Sequence, residues 1–297
     1  MTTPDNTPTS GTTPGTMSYT VAPQRKLFGN IMTGLVIACA LLAALPLVSI
    51  LITVITNGLS RFGPAIFTEL PPPPLVDGGG LRNAIVGTLT VMVISAAISV
   101  PFGIMAAIYV SEFARDTKLA NAVRFGINVL SGVPSIIAGL FAYGVVVLAT
   151  GTFSAVAGGV ALAVLMIPII ERTAEEGLKS IPLEVRQGAL GVGATNFQTI
   201  SQIVLPASLP FLATGVTLAL ARASGETAAL LFTALFNQFD ARSVWQPTAT
   251  LSVLIYNFAI SPYKNQQELA WVAAFLIMVF ILIVSIIARR LGRRTQF

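Results

Sequence analysis

Residues 184–206 read EVRQGALGVGATNFQTISQIVLP and separate the fourth and fifth of six long apolar runs in this chain. Leu183–Val192 is predicted to form a short helix that is broken by the glycines around its end. A second short helix is expected to begin at Thr195, because Thr195-x-x-Gln198 has the form of a capping box. Pro206 should end this second helix, since proline removes a backbone donor from a helix interior.

Phe197, Ile200 and Val204 fall on one face of the second predicted helix. Two capped short helices at a membrane surface would form a compact knob suited to a groove on another protein. From the residues alone, such a docking knob and a simple interfacial elbow are equally good interpretations.

The composition places most of the chain in hydrocarbon. Of 297 residues, 54% are hydrophobic and only 10% are charged, against about 25% charged in a typical soluble domain. There is no histidine, and the single cysteine, Cys39, lies in an apolar run. Histidine general bases, histidine metal sites, paired redox cysteines and disulfides are therefore excluded within the chain.

Six apolar runs approach the roughly 20 residues that a transmembrane helix requires. They are Ile31–Thr53, Ala84–Val110, Ile127–Ala149, Ala155–Ile170, Ala207–Leu231 and Leu269–Ala288. A further run, Ala249–Ile260, is too short to cross and favours a re-entrant or interfacial segment. The predicted fold class is thus an all-α integral membrane protein with six transmembrane helices.

Lysine and arginine set the expected orientation. With six spans and a cytoplasmic N-terminus, twelve basic residues lie inside and four outside, as the positive-inside rule requires. The inside set is Arg25, Lys26, Arg115, Lys118, Arg124, Arg172, Lys179, Arg186, Arg289, Arg290, Arg293 and Arg294. Both termini are predicted to be cytoplasmic, and the net charge of +5 reflects this topology rather than nucleic-acid binding.

The chain is predicted to divide into four parts. Residues 1–28 form a disordered cytoplasmic tail, because the first 23 contain eight threonines, four prolines and one charge. Residues 29–80 carry the first span and an extracytoplasmic loop. Residues 81–290 are the transmembrane core, and residues 291–297 are a basic cytoplasmic tail.

Arg222 and Glu226 lie inside the fifth apolar run. A helix rise of about 1.5 Å per residue counted from Pro210 places Arg222 roughly 18 Å deep, near mid-membrane. A charge at that depth should face a wet cavity or the bundle interior. Either Glu226 at i+4 neutralises Arg222 as a buried ion pair, or the guanidinium binds an oxyanion, with Ser224 as a further donor.

Arg172, Glu175 and Glu176 follow the fourth run and are expected to continue its helix. Arg172 faces both carboxylates at i+3 and i+4, so the three are predicted to pair on one face. A solvated helix end explains this spacing as well as a functional cluster does.

The chain lacks the usual elements of an enzyme site. It has no G-x-x-x-x-G-K-[ST] loop for nucleotide phosphates. A serine nucleophile would need a base that is not histidine. A membrane enzyme is therefore disfavoured, and no cofactor is predicted.

The polar loop resembles the cytoplasmic signature of ABC-importer permeases, E-A-A-x3-G-x9-I-x-L-P. The matching residues are Gln187, Gly188, Ala189, Gly193, Ile203, Leu205 and Pro206. Gln187 stands where the family usually has an acidic residue, which puts one ion pair with the ATPase in doubt. The resemblance implies a type I importer permease fold whose loop contains the coupling helix that docks on a separate ATP-binding subunit.

Three further motifs resemble phosphate-specific importers of this family, and among them the A-type permease subunit. They are Ser131-Gly132-Val133-Pro134-Ser135-Ile136, Arg172-x-x-Glu175, and Arg222-x-x-Gly225-Glu226-Thr227-Ala228. The resemblance implies a C-type permease partner, a dimer of ATP-binding subunits and an extracytoplasmic phosphate-binding protein. It also implies phosphate passage along Arg172, Glu175, Arg222 and Glu226.

Two rival functions remain open on the sequence. One is a permease for another oxyanion, such as molybdate, sulfate or phosphonate. The other is a secondary transporter that needs no ATPase.

Overall fold

The computed structural model describes residues 23–114 and 117–293, and every regular element within them is a helix. The predicted N-terminal tail lies mostly outside these residues, as does most of the predicted C-terminal tail. The chain divides into two compact units, residues 1–52 and 53–297. In the first unit the described residues belong to helix α1, Pro23–Leu59, whose side chains are exposed as far as residue 52.

Within the residues that the structure describes, the second unit contains ten further helices. They are α2 (Ala65–Thr68), α3 (Arg82–Phe113), α4 (Lys118–Ser131), α5 (Ser135–Thr150), α6 (Ala155–Lys179), α7 (Leu183–Gly191), α8 (Asn196–Ser224), α9 (Ala228–Leu231), α10 (Leu251–Ala259) and α11 (Lys264–Arg293). Helices α3, α5 and α8 each contain a short π-helical segment.

Five helices, α1, α3, α6, α8 and α11, are long and apolar enough to cross a membrane. A sixth crossing exists if α4 and α5 are counted together. The all-helical fold and the count of six are therefore confirmed, with the third span broken.

The third predicted run, Ile127–Ala149, is divided between two helices. The axes of α4 and α5 differ by 107°, so the first five residues of that run belong to α4. Pro134 precedes α5 with an extended backbone, φ −57° and ψ 138°. An extended residue at this point interrupts the helical hydrogen bonds, so α4 and α5 form a broken third span rather than one continuous helix.

Helices α3 and α6 run in the same direction and meet through glycines. Gly159 lies against the side chain of Ile94, and a Cβ at Gly103 would be 2.9 Å from Cγ2 of Ile170. Ser99 contacts the sulfur of Met166 between these points. Absent side chains let the two backbones approach closely, as is common where membrane helices associate.

Helices α6 and α8 run in opposite directions. Gly177 lies against Phe211, while a Cβ at Gly215 would be 2.9 Å from the Cβ of Thr173. Moving four residues toward the C-terminus of α8, from Phe211 to Gly215, corresponds to moving four residues toward the N-terminus of α6, from Gly177 to Thr173. These two contacts fix the register of the two helices.

The predicted fifth span, Ala207–Leu231, is interrupted. Helix α8 ends at Ser224, and the chain turns before the four-residue helix α9. Helix α9 packs on α5, where a Cβ at Gly139 would lie 2.7 Å from Cα of Ala229.

Helix α10 corresponds to the run Ala249–Ile260 and has nine residues. At about 1.5 Å per residue it is too short to cross, as expected. Its first amide, that of Leu251, donates to Oγ1 of Thr88 in α3 at 2.8 Å.

Candidate functional site

The polar loop begins with α7, close to the predicted Leu183–Val192 helix. Helix α7 ends at Gly191, and Gly193 follows with φ +92°. This left-handed conformation favours glycine, which explains why the chain reverses there.

The predicted capping box is present. The amide of Gln198 donates to Oγ1 of Thr195 at 3.2 Å, and the amide of Thr195 donates to Oε1 of Gln198 at 2.8 Å. The expectation that Pro206 ends this helix is wrong, because α8 continues to Ser224. A π-helical segment, Thr199–Val204, precedes the proline, and this wider turn shifts the hydrogen-bond register around its ring.

The residues of the family signature divide by burial along the loop. Gln187, Gly188 and Gly193 are exposed, Ala189 is buried, and Ile203, Leu205 and Pro206 are half-buried. The loop also exposes large apolar side chains: Val192 is 87% exposed and Phe197 71%. The predicted stripe therefore starts exposed at Phe197 and ends fully buried at Val204.

At the C-terminal end of α6 the predicted three-way pairing is only partly formed. Arg172 pairs with Glu176 at 3.5 Å, and both side chains are more than 60% exposed. Glu175 instead accepts a hydrogen bond from Nε of Arg124 in α4 at 2.8 Å and pairs with Lys179 at 2.7 Å. Its side chain is only 11% exposed, so it joins α6 to α4 rather than to Arg172.

Glu171 is a buried carboxylate whose burial is not predicted by its sequence context. The residue is 1% exposed, and its Oε1 has no hydrogen-bond partner among the described residues. It lies one turn before Glu175 on α6. Its position before an arginine in a charged helix end gave no signal that it would be buried.

Arg186 of α7 belongs to the positive-inside pattern and also makes a buried contact that this pattern does not predict. Its guanidinium pairs with Glu112, at the end of α3, and also donates to the carbonyl of Leu178 in α6 at 2.7 Å. The Arg186 and Glu112 side chains are 9% and 5% exposed. Seventy-four positions separate the partners, and no local pattern links them.

Arg222 lies in the last turn of α8, on its exposed face with Thr214 and Leu218. The register of α6 against α8 places it about 10 Å beyond the level of Thr173, near the middle of the length of α6. The carbonyls at the helix C-terminus favour a cation there. The bundle therefore places a guanidinium at mid-depth on an open face.

The expected hydrogen bond between Arg222 and Glu226 is not formed. The helix ends between them, so Glu226 no longer lies one turn above Arg222 on the same face. The Glu226 carbonyl accepts from Ser252 of α10 at 2.8 Å. The hydroxyl of Ser224 donates to the carbonyl of Ala221 at 2.8 Å, and the residue is buried.

Two exposed arginines, one on α6 and one on α8, are accessible to a ligand. Arg172 and Arg222 are both exposed, at levels about 9 Å apart along the bundle. A guanidinium presents forked donors that match a tetrahedral oxyanion. The helical bundle therefore carries exposed guanidinium groups at two levels and a polar loop that exposes apolar side chains.

Comparison with known proteins gives the family. The chain belongs to the family described as the binding-protein-dependent transport system inner membrane component, which matches residues 99–297. The phosphate transport system permease protein PstA of Yersinia pestis is 44% identical over 243 residues, covering 82% of each chain. PstA of Pasteurella multocida is 38% identical, covering 92% of this chain and 97% of its own.

Solved structures share the fold. A bacterial alginate ABC transporter aligns with a TM-score of 0.62 at 17% identity, over 91% of this chain and 98% of its own. The methionine ABC transporter MetNI, in an inward-facing conformation, aligns with a TM-score of 0.57 at 20% identity. The latter covers 73% of this chain and 95% of its own.

Proposed function

We propose that this chain is the A-type permease subunit of an ATP-driven importer that carries inorganic phosphate across the cytoplasmic membrane. The observation that carries the proposal is the guanidinium of Arg222 at mid-depth on an open helix face. The names of the most similar relatives supply the anion. The subunit is non-catalytic, and ATP is hydrolysed by a partner.

The phosphate path runs along the exposed face shared by α6 and α8. Arg222 offers forked hydrogen bonds to the anion at mid-membrane, and Arg172 offers the next cationic position toward the cytoplasm. Glu226 and Glu175 hold nearby negative charge, which keeps the anion from binding too tightly to leave. Ser224, with its hydroxyl engaged by Ala221, shapes the path without donating to phosphate.

A second permease subunit, the C-type partner, covers this face. An arginine exposed to lipid at the centre of a bilayer is costly, at least about 2.5–3.5 kcal/mol on insertion scales. Burial against another subunit with a water-filled path between the two removes that cost. The same pairing covers the apolar surface that α6 and α8 leave open.

The loop around α7 docks on a dimer of ATP-binding subunits. Exposed Val192 and Phe197 provide the apolar contact for a groove on that partner. Because α8 is continuous from Asn196 to Ser224, displacement of its cytoplasmic end moves Arg222 directly. An extracytoplasmic phosphate-binding protein delivers the substrate, and both termini lie in the cytoplasm.

Transport by the reconstituted importer tests the proposal. Membrane vesicles with all presumed partners should accumulate labelled phosphate when ATP is supplied, and vesicles with this chain alone should not. Uptake by the chain alone would instead support a secondary transporter, which the cytoplasmic signature disfavours.

Competition by other anions tests the substrate. Excess unlabelled phosphate should suppress uptake of the label, whereas sulfate, molybdate and a phosphonate at the same concentration should not. Suppression by one of these in place of phosphate would assign the chain to that oxyanion.

A further inference from the structure

Helix α7 is attached to the rest of the protein through few buried side chains. Of its nine residues only Arg186 and Ala189 are buried. Short turns join it to its neighbours, and one of them contains Gly193. A helix held by so few buried groups depends strongly on each of them.

Arg186 ties α7 to two other helices at once. One arm of its guanidinium pairs with Glu112 at the end of α3, and the other donates to the carbonyl of Leu178 in α6. The contact is almost completely shielded from solvent. A buried, forked ion pair is directional, and its geometry fixes both partners.

The Arg186 contact with α6 and the continuous helix α8 lead from the loop to different parts of the proposed transport path. Leu178 lies six residues after Arg172 on α6, about 9 Å along the helix. The continuous α8 reaches Arg222 independently. The backbone joins α7 to α6 and to α8 by short turns, and the Arg186 side chain adds a directional link from α7 to α3 and α6.

We propose that Arg186, held by Glu112 and the Leu178 carbonyl, is the positioning residue that transmits movement of α7 to α3 and α6. Without it, α7 would shift against the bundle when the ATP-binding subunits close, and only α8 would follow. This inference rests on the proposed function, since it assigns a role within ATP-driven transport.

The test is the ratio of phosphate imported to ATP hydrolysed by the reconstituted complex. Arg186→Gln and Glu112→Gln should each lower this ratio roughly three- to tenfold, the range expected for broken coupling networks, with the subunits still assembled. Arg186→Lys should retain an intermediate ratio, because lysine keeps the charge but cannot form the fork. Arg82→Gln, in an exposed pair with Asp240 at the other end of α3, should leave the ratio unchanged.

A purely structural role predicts a different result. In that case the variants would lower the yield of assembled complex, and the complexes that form would show the wild-type ratio. If the single variants do not assemble, the double variant Arg186→Met with Glu112→Met restores an apolar contact of similar size. A wild-type ratio in that double variant, or in assembled Arg186→Gln, would overturn the inference.

Failure of the proposed function is recognised separately. The wild-type complex would then import no phosphate, whatever the behaviour of Arg186.

Discussion

Glu175 of α6 accepts a hydrogen bond from Nε of Arg124 in α4 at 2.8 Å. This pair joins α4, the helix before the 107° bend, to the C-terminal end of α6. Arg124 also donates to the carbonyl of Val110 in α3 at 3.2 Å. One arginine thus holds three helices together where the third span is broken.

The first prediction follows from this pair. Glu175→Gln should lower the free energy of unfolding by about 1–3 kcal/mol, because it removes the charge of the largely buried carboxylate with which both Arg124 and Lys179 pair. Glu176→Gln is the matched control on the same helix and should cost less than about 0.5 kcal/mol, since its pair with Arg172 is exposed. Thermal unfolding of the detergent-solubilised subunit measures both, and equal losses would contradict the assignment.

Arg222 should be required for transport but not for folding. Arg222→Gln is expected to lower phosphate uptake by about 100-fold or more, because the anion loses its charged, forked donor at mid-membrane. Membrane insertion and co-purification with the ATP-binding subunit should persist. Arg222→Lys should keep part of the uptake, since it retains charge without the fork. Wild-type uptake by Arg222→Gln would refute the role of this residue.

Two glycines of α5 provide a matched pair for helix packing. A Cβ at Gly139 would overlap the backbone of Ala229, whereas Gly144 has nothing within 4 Å. Gly139→Ala should therefore destabilise the subunit by about 1–3 kcal/mol through overpacking. Gly144→Ala should be neutral or slightly stabilising. A thermal shift assay on the purified subunit compares them, and a reversed order would show that α9 does not pack there.

The capping box should order the start of α8. Thr195→Ala is expected to cost about 1 kcal/mol locally, because the Gln198 amide loses its acceptor. Hydrogen exchange of that amide should quicken, and affinity for the ATP-binding subunit should fall by up to about fivefold. Ser201→Ala removes only a hydroxyl bonded within the same helix and should change neither. Unaltered exchange in Thr195→Ala would argue against the box.

Much of the architecture is predictable from the sequence because its signals are local. Apolar runs of spanning length, the capping box at Thr195 and the break at Gly193 each depend on a few neighbouring residues. The signature from Gln187 to Pro206 identified the family by spacing. Helix α6 continues past Ile170 as expected, since residues 171–179 contain no proline.

The wrong predictions occur where packing against helices that are distant in sequence changes the outcome of a local sequence pattern. Pro134 breaks the third span, yet Pro206 does not end α8, although both follow the same local rule. A π-helical segment and packing of Val204 in the core, fully buried, carry the helix through Pro206. The expected Arg222–Glu226 bond assumed an unbroken helix, and the turn after Ser224 removes the i+4 relationship.

The sequence by itself determined that this is a helical membrane protein with six apolar runs of spanning length. It also determined that a polar loop with a capped helix lies on the side that carries most of the lysines and arginines. Hydropathy, charge asymmetry and turn residues suffice for that, because each of these patterns is read over a stretch of sequence no longer than one helix. Only the tertiary structure decided which charges meet. The Arg124–Glu175 and Arg186–Glu112 pairs join residues 51 and 74 positions apart, and their geometry depends on how whole helices are placed against one another.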